Sequence, residues 1–389
     1  MLIICSDWWE IYAPGRRLSY FVKYLRSRGL RVFCVSSLRL SRSGTLKPPR
    51  ECYGFFPTIP PHGMIGTLLN TILSLPVTIA ILIFHPRIVI LSIPSVYPVI
   101  ATYLGCILTK SKLIIDVRDP QEEIMTYMYR KGFSSIIAKV FKRINYSIYR
   151  RAVAIIGVTR TLITMLANAI RKPVYLVPNG ADLGIFKPGN KKEARKALGL
   201  NQDSFLVAYI GDLTTRGYYN VLPVLKAIRK VRERSGIDVE LVVAGSVSKD
   251  ARWIIDAFKD VLRYVGVLDV KGVITLLSAC DIGIIPRIKD PIYVYSIPVK
   301  FYEYIAIGLP VIVTASRESE LAKIVKENKL GFVCKPGNQI CLENVITTLA
   351  TNRSLLDELR RNVLTFRNYI DRGIGAKRLY RLINKLLRN

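Results

Sequence analysis

Along most of the chain, short apolar runs alternate with longer stretches in which apolar positions recur every three or four residues. The short runs predict buried strands at 2–5, 31–36, 88–92, 112–116 and 154–158, and the longer stretches predict helices such as 16–28 and 134–151. Alternation of this kind implies βαβ units and a parallel sheet. The rhythm breaks at Val177-Pro178-Asn179-Gly180, a turn-forming tetrapeptide followed by the polar stretch 187–195. It then resumes, with strands at 205–211, 239–244, 281–285 and 311–314 and helices at 218–234 and 299–307. After about Ser354 the pattern is helical and basic to the end, with ten Lys or Arg against three acids between Arg353 and Asn389.

The expected fold class is therefore α/β, with two doubly wound, Rossmann-like parallel-sheet domains at 1–178 and 179–365. A basic terminal helix at 366–389 is expected to pack back on the first domain. A chain of 389 residues is too long for one ordinary core, which agrees with two. Sheets of this kind bind ligands outside the carboxyl ends of their strands, so two such domains facing each other make a cleft lined by the loops that follow strands.

One segment stands apart from this rhythm. Met64 to Phe84 carries no charge and is long enough to cross a bilayer, although Asn70, Ser74 and Pro76 interrupt it. A true span would put the strands on either side of it on opposite faces of the membrane and prevent one sheet. A helix that dips into the interface and an ordinary buried helix are the other two readings.

Charge sharpens the picture. Lys and Arg number 58 against 28 acids, a net +30. Residues 1–178 hold 24 basic and 7 acidic side chains, and residues 179–389 hold 34 and 21. An acid-poor and very apolar first half suits an anionic lipid surface, where each Lys or Arg near the bilayer adds roughly 1 kcal/mol. Nucleic acid would satisfy the charge equally well, and so would plain solvation, but no recognisable nucleic-acid module accompanies it. Within 134–151, Ile137, Val140, Phe141, Ile144 and Ile148 form an apolar stripe with Lys139, Lys142, Arg143, Arg150 and Arg151 beside it, which fits a lipid surface or the sheet. Hydrophobic residues make up 50% of the chain, which excludes a disordered protein.

The seven cysteines are scattered and lack Cys-x-x-Cys spacing, so neither a zinc site nor a disulfide framework is expected, and a reducing cytoplasm is the simplest home. Met1 runs directly into an apolar strand, without the basic leader of a signal peptide.

The segment Tyr293 to Ile312 carries the most chemistry. Ser296 is placed to cap a helix whose first turn contains Pro298, so that free N–H groups and the positive end of the helix dipole make an anion site. Lys300 and Glu303 lie three residues apart on one face of that helix. A cation that neutralises phosphate, beside a carboxylate that accepts two hydroxyl hydrogen bonds, is what a ribose diphosphate requires. An ordinary surface ion pair has the same spacing.

A second loop, Gly211-Asp212-Leu213-Thr214-Thr215-Arg216-Gly217, follows a strand and precedes a helix. Its glycines permit close backbone approach, and Arg216 is suited to a bidentate grip on a diphosphate. In the first domain, Pro14-Gly15 precedes a helix, and Asp116-Val117-Arg118-Asp119-Pro120 ends a strand, which places Arg118 and Asp119 at the cleft. A strand-to-helix turn at Gly15 and a helix cap at Asp119 are the structural alternatives. With no Asp-x-Asp pair and only His62 and His85, a divalent metal has no evident seat, and protein cations must stabilise a leaving diphosphate.

These residues resemble glycosyltransferase family 4, of GT-B fold. The set comprises Val177-Pro178-Asn179-Gly180-Ala181-Asp182 with Phe186 and Pro188, then Tyr209-Ile210-Gly211 and Arg216-Gly217. It continues with Tyr264 and Gly266, Ala279-Cys280-Asp281-Ile282-Gly283, and Ser296 through Tyr304. The resemblance implies a retaining transfer from a UDP- or GDP-linked sugar, with the nucleotide held mainly by the second domain. Glu303 would bond the ribose hydroxyls, Lys300 and Arg216 would neutralise the diphosphate, and the backbone around Gly266 would sit near the base. Pro14-Gly15 resembles the family's glycine-rich loop, with Arg16 in place of the second glycine. Asp119 resembles the acidic residue of relatives that modify lipid-linked or polysaccharide acceptors.

Two departures stand out: Tyr295 occupies the place of the family's first glutamate, and Asp212 the place where an arginine often stands. The expected catalytic set is thus Asp119, Lys300 and Arg216, and the donor-binding set is Glu303, Gly15, Gly211, Gly266, Ser296 and Pro298. No cofactor and no metal are expected, only a nucleotide sugar as substrate. The expected partners are a lipid-linked or glycan acceptor and the anionic inner face of the cell membrane. A non-catalytic sugar-nucleotide or membrane-binding relative is the alternative.

Overall fold

A computed structural model of the chain describes residues 1–5, 13–41, 44–46, 52–59, 63–93, 97–215 and 217–388. The chain forms two compact units, Met1–Asn179 with Arg372–Asn389, and Gly180–Asp371.

In the first unit the strands are β1 (Leu2–Cys5), β2 (Phe33–Ser41), β3 (Gly44–Leu46), β4 (Tyr53–Thr58), β5 (Ile88–Ile93), β6 (Lys112–Val117), β7 (Ala154–Gly157) and β8 (Tyr175–Leu176). Their order is β3-β2-β1-β5-β6-β7-β8, with β4 also on β2, and every pairing is parallel except β2 with β3. Strands β1 and β5 are buried along their whole length, and apolar except for Ser92, because helices cover both faces of the sheet.

The second unit has β9 (Phe205–Ile210), β10 (Val239–Ala244), β11 (Leu262–Tyr264), β12 (Ile282–Pro286), β13 (Val311–Thr314) and β14 (Gly331–Cys334). They form an all-parallel sheet in the order β11-β10-β9-β12-β13-β14. Both sheets are doubly wound, and the winding direction reverses between β1 and β5 in one and between β9 and β12 in the other. Loops diverge to opposite faces at such a reversal and leave a crevice at the carboxyl ends.

The return to the first unit comes at Arg372, not at 366. Arg367 donates to the carbonyls of Ala306, Leu183 and Phe186, which holds the preceding turn in the second unit. From there helix Arg372–Arg388 packs on helix Ala13–Ser27, burying Ala376, Leu379 and Ile383 among Leu18, Phe21, Val22 and Leu25. Gly375 lets the terminal helix run close to the chain at Pro178, since a Cβ there would stand 2.5 Å from the Pro178 carbonyl oxygen.

The charge-free segment Gly63–Phe84 is long and apolar enough to cross a membrane by length and composition. A turn at 74–75 divides it into helices Gly63–Leu73 and Pro76–Phe84, each shorter than the roughly 20 residues a span needs. Pro76 enforces the break, because it has no N–H to continue the first helix. Asn70 is buried and bonds both the N–H and the carbonyl of Ile59, at 3.0 and 2.9 Å. Its polarity therefore fastens the helix to the chain beside β4.

The expected apolar stripe of 134–151 divides in two. In helix Gly132–Arg151, Phe141 and Ile148 turn inward, whereas Val140 and Ile144 join Phe133 and Ile136 on the exposed side. The cysteines also depart from expectation at one place: Cys334 at the end of β14 and Cys341 in the first turn of helix Gln339–Thr351 form a disulfide. The tight turn at 335–338 brings the two within reach without any motif spacing.

Candidate donor-binding site

The site builds from the carboxyl ends of β9, β10 and β11. Each is followed by a glycine in a conformation that disfavours side chains: Gly211 (φ 143°), Gly245 (φ 147°) and Gly266 (φ 83°). Gly211 N–H donates to Ala244 and Gly245 N–H to Gly266, so the sheet's bonding continues past the strands into a glycine floor. A Cβ on Gly245 would meet the Gly211 carbonyl oxygen at 2.2 Å, and one on Gly211 would meet Lys300 Nζ at 2.7 Å. The absence of those side chains is what lets backbone and lysine converge.

Lys300 comes from helix Val299–Ile307, which starts beside the crevice. Its ammonium lies 3.7 Å from the ring centre of Tyr219 and 4.3 Å from that of Tyr209, a cation–π box. Among the described residues Nζ has no hydrogen-bond partner. Burial lowers its pKa to about 7, with Arg287 pushing the same way and Glu303 and Asp212 opposing. Glu303 is buried on the same helix, three residues on. A half-neutral, unbonded lysine over a glycine floor, beside a buried carboxylate, is arranged to receive an anion with hydroxyl groups.

Ser296 does not cap this helix. Pro298 is the N-cap residue and no side chain caps the helix; Phe301 N–H donates to the Pro298 carbonyl at 3.0 Å, which leaves the N–H groups of Val299 and Lys300 without a side-chain cap. Ser296 instead receives Arg287, whose guanidinium donates to its carbonyl at 2.9 Å, to its hydroxyl at 3.1 Å and to the Tyr293 carbonyl at 2.8 Å. The buried Arg287 at the end of β12 thus braces the loop that leads into the helix, and Pro298 keeps its place at the helix start. A cavity of ≈ 200 Å³ opens at the same strand end, lined by Asn220, Arg287, Lys289, Thr314 and Gly337 among others. Neither Lys300 nor Glu303 lines it, so it is distinct from the anion site.

Residues 190–365 match the family model described as glycosyl transferases group 1. Over these residues the second unit is similar to the group 1 glycosyl transferases. A D-inositol 3-phosphate glycosyltransferase from Actinosynnema mirum is 31% identical over 172 residues, which cover 42% of this chain and 41% of that protein. The match therefore spans less than half of the relative's length. Two solved structures extend the likeness to both units at a level that shows the fold alone. The Anabaena protein HepE, solved in complex with UDP, superposes with a TM-score of 0.73 at 13% identity, covering 99% of each chain. WaaG, a glycosyltransferase involved in lipopolysaccharide biosynthesis, gives 0.73 at 14% identity over 98% of this chain and 99% of its own. The architecture is accordingly GT-B, two Rossmann-like units.

The second unit brings together Gly211, Gly266, Pro298, Lys300 and Glu303. Arg216 lies outside the described residues. Gly15 belongs to the first unit, and the helix there begins at Ala13, so Pro14 and Gly15 form its first turn and not a loop before it. Proline is tolerated there because first-turn N–H groups have no partner within the helix. Arg118 is buried, and its Nε donates to the Ile93 carbonyl at 3.0 Å, across to the end of β5. Asp119 follows it, half-buried, and the N-cap of helix Gln121–Met128 is Pro120, so that helix has no side-chain cap.

Four residues of this candidate site carry roles that their motifs had not assigned. Tyr209 and Tyr219 form the box around Lys300, and Arg287 braces the approach. Tyr304 packs flat on Gly283, where a Cβ would lie 2.3 Å from its ring, and its hydroxyl bonds β9. Spacing alone cannot find the box, because Tyr219 reaches Lys300 only once the 218–220 loop pairs with the end of β12, through Asn220 N–H to the Pro286 carbonyl.

Proposed function

We propose that the protein is a retaining glycosyltransferase that moves a sugar from a UDP- or GDP-linked donor to a lipid-linked glycan, glycolipid or polysaccharide at the inner face of the cell membrane. The observation that carries the donor half is Lys300, a buried and unbonded cation between two tyrosines, over Gly211 and beside Glu303. A diphosphate would supply its missing partner, the uncapped helix start would take a second phosphate oxygen, and Glu303 would hold the ribose hydroxyls. The structural neighbour solved with UDP favours the same donor class. No group of three or more His, Cys, Asp or Glu side chains suited to a metal occurs among the described residues. In the proposed reaction Lys300, the helix start and Arg216 carry the charge on the leaving diphosphate. In this reading a donor phosphate oxygen helps deprotonate the acceptor on the face that the leaving group departs from, and Asp119 serves the acceptor side.

The acceptor half rests on the first unit's surface. Helices Gly63–Leu73, Pro76–Phe84, Pro98–Thr109 and Gly132–Arg151 each expose a row of large apolar side chains at helical spacing: Ile65, Leu68 and Ile72; Ile79 and Ile83; Leu104 and Leu108; Ile136, Val140 and Ile144. Together with the basic surplus of this half, such a face suits an anionic bilayer.

A thermal-shift screen of the purified chain against UDP, GDP, ADP and their sugars tests the donor assignment. A nucleotide at 100 times its Kd stabilises by about 2.7 kcal/mol, and a flat response to all of them would remove the site. Tyr295, where the family has an acid, favours a second reading as a non-catalytic nucleotide-sugar binder. Product formation from any donor excludes it.

A further inference from the structure

Helix Gly132–Arg151 has two faces with different tasks. Its outer face carries Phe133, Ile136, Val140 and Ile144, all exposed, with Lys139, Arg143 and Arg150 exposed along one flank. At 3.6 residues per turn the opposite face carries Lys142, Asn145, Tyr146 and Tyr149. That inner face grips two adjacent glutamates: Tyr149 Oη and Asn145 Nδ2 donate to Glu122 Oε1 at 2.5 and 2.9 Å, while Tyr146 Oη and Lys142 Nζ reach Glu123 at 2.9 and 2.7 Å.

Glu122 is the unusual member. It is 1% exposed, and neither its Oε2 nor Asn145 Oδ1 has a partner among the described residues. A carboxyl group buried this deeply disfavours its charged form, and burial indeed raises its pKa in spite of the two donors. Such a group is costly to bury merely to hold a helix in place, and an apolar side chain would pack there with less penalty. Its position suggests a reason: Glu122 lies three residues after Asp119, in the first turn of helix Gln121–Met128, which starts at the end of β6.

We propose that helix Gly132–Arg151 couples lipid contact to the acceptor side of the enzyme, its outer row seated on an anionic bilayer while its inner face, through Glu122 and Glu123, fixes the backbone that carries Asp119. Glu122 is then a positioning residue that acts through the segment it anchors. The bilayer is the occupant that fits, because the row is apolar, its flank is cationic, and the neighbouring helix Gly63–Leu73, which meets this one at Met64 and Ala138, exposes its own apolar row. The inference rests on the lipid-surface reading above.

Hydrogen–deuterium exchange on the full chain tests it, with phosphatidylcholine vesicles that either contain or lack phosphatidylglycerol. Vesicles with phosphatidylglycerol should slow exchange by roughly tenfold both in 132–151 and in 121–128. Tyr149→Phe combined with Asn145→Leu should keep the first protection and lose the second. Tyr149→Phe alone, which removes one hydroxyl and keeps the ring, should weaken it. Glu122→Gln should retain both, since its amide oxygen accepts from the same two donors, and that rescue separates positioning from bulk packing. Protection confined to 132–151 in the unaltered protein, equal coupling in the double variant, or equal protection by vesicles of phosphatidylcholine alone would each overturn the proposal. A chain that ignores every nucleotide in the thermal screen yet shows the coupled protection would sink the transferase reading and leave this one standing.

Discussion

The phenolic oxygen of Tyr304 accepts a hydrogen bond from the backbone N–H of Ile210 at 3.0 Å, and so ties the helix bearing Lys300 and Glu303 to the strand that leads into Gly211. The same hydroxyl donates toward the Ala208 carbonyl at 3.4 Å, and the ring lies on Gly283 of β12. One side chain thereby sets the spacing of helix Val299–Ile307 against both strands of the winding reversal. Tyr304→Phe keeps the ring and leaves the Ile210 N–H unpaired. The expected cost is about 1–3 kcal/mol of stability, with weaker UDP binding, because Lys300 and Glu303 lose their reference strand. Calorimetric melting with and without UDP measures both, and an unchanged melting temperature would show that the bond does not hold the helix.

Lys300→Met separates function from stability. In the donor-free protein a buried ammonium without a hydrogen-bond partner among the described residues opposes folding, and methionine fills a similar volume without a charge. The variant should melt a few degrees higher than the parent and bind UDP roughly 10- to 100-fold more weakly, the loss expected for a charge-assisted contact to phosphate. A variant that melts lower and still binds UDP normally would place the diphosphate elsewhere.

The same lysine should make nucleotide binding take up a proton. Its pKa in the free protein is lowered to about 7, whereas 10.5 is its ordinary value, and a bound diphosphate favours the charged form. Above pH 7 the free site is mostly neutral, so affinity should fall with rising pH by up to about tenfold per unit. For folding the sign follows from the same values: the unfolded lysine keeps its proton up to its ordinary pKa, so this group's contribution to stability increases as pH rises from about 7 to 10.5. Titration calorimetry of UDP at pH 8.5 in Tris and in HEPES should give heats that differ with the buffer's ionisation enthalpy. Identical heats would mean that no proton moves.

The sheet skeleton was legible because its signal is local. Val239–Ala244 and Val311–Thr314 coincide with short apolar runs, the first set between Asp238 and Gly245 and the second opened by Pro310, and the helix Val299–Ile307 follows a proline and ends at Gly308 in a left-handed conformation. Short strands such as Tyr175–Leu176 and Leu262–Tyr264 were not legible, because two or three residues carry no periodicity. At the site, the pairing of Lys300 with Glu303 was readable from helical spacing, whereas Ser296 misled. Its place before a helix predicted a cap, but Arg287, nine residues upstream, claims it. Likewise the stripe on helix Gly132–Arg151 looked single because Val140 and Phe141 are both apolar, and only the packing shows that one faces out and the other in.

The disulfide between Cys334 and Cys341 supplies a test that depends on chain closure and not on any ligand. It joins the end of β14 to the first turn of the following helix and encloses the turn at Pro336 and Gly337, two residues that line the cavity beside Arg287. For a loop this short, the loss of chain entropy in the unfolded state corresponds to roughly 2.5 kcal/mol. Cys341→Ser, or reduction of the native chain, should therefore lower the melting temperature of the second unit by several degrees. UDP binding should change little, since Lys300 and Glu303 are held through Tyr304 and not through this turn. Non-reducing peptide mapping establishes the bond, and paired melts with and without reductant give the shift. Equal melting temperatures with the bond demonstrably intact and then broken would show that the turn is already fixed by its neighbours, Pro336 and the cap that Asn338 provides to Cys341 N–H at 3.0 Å.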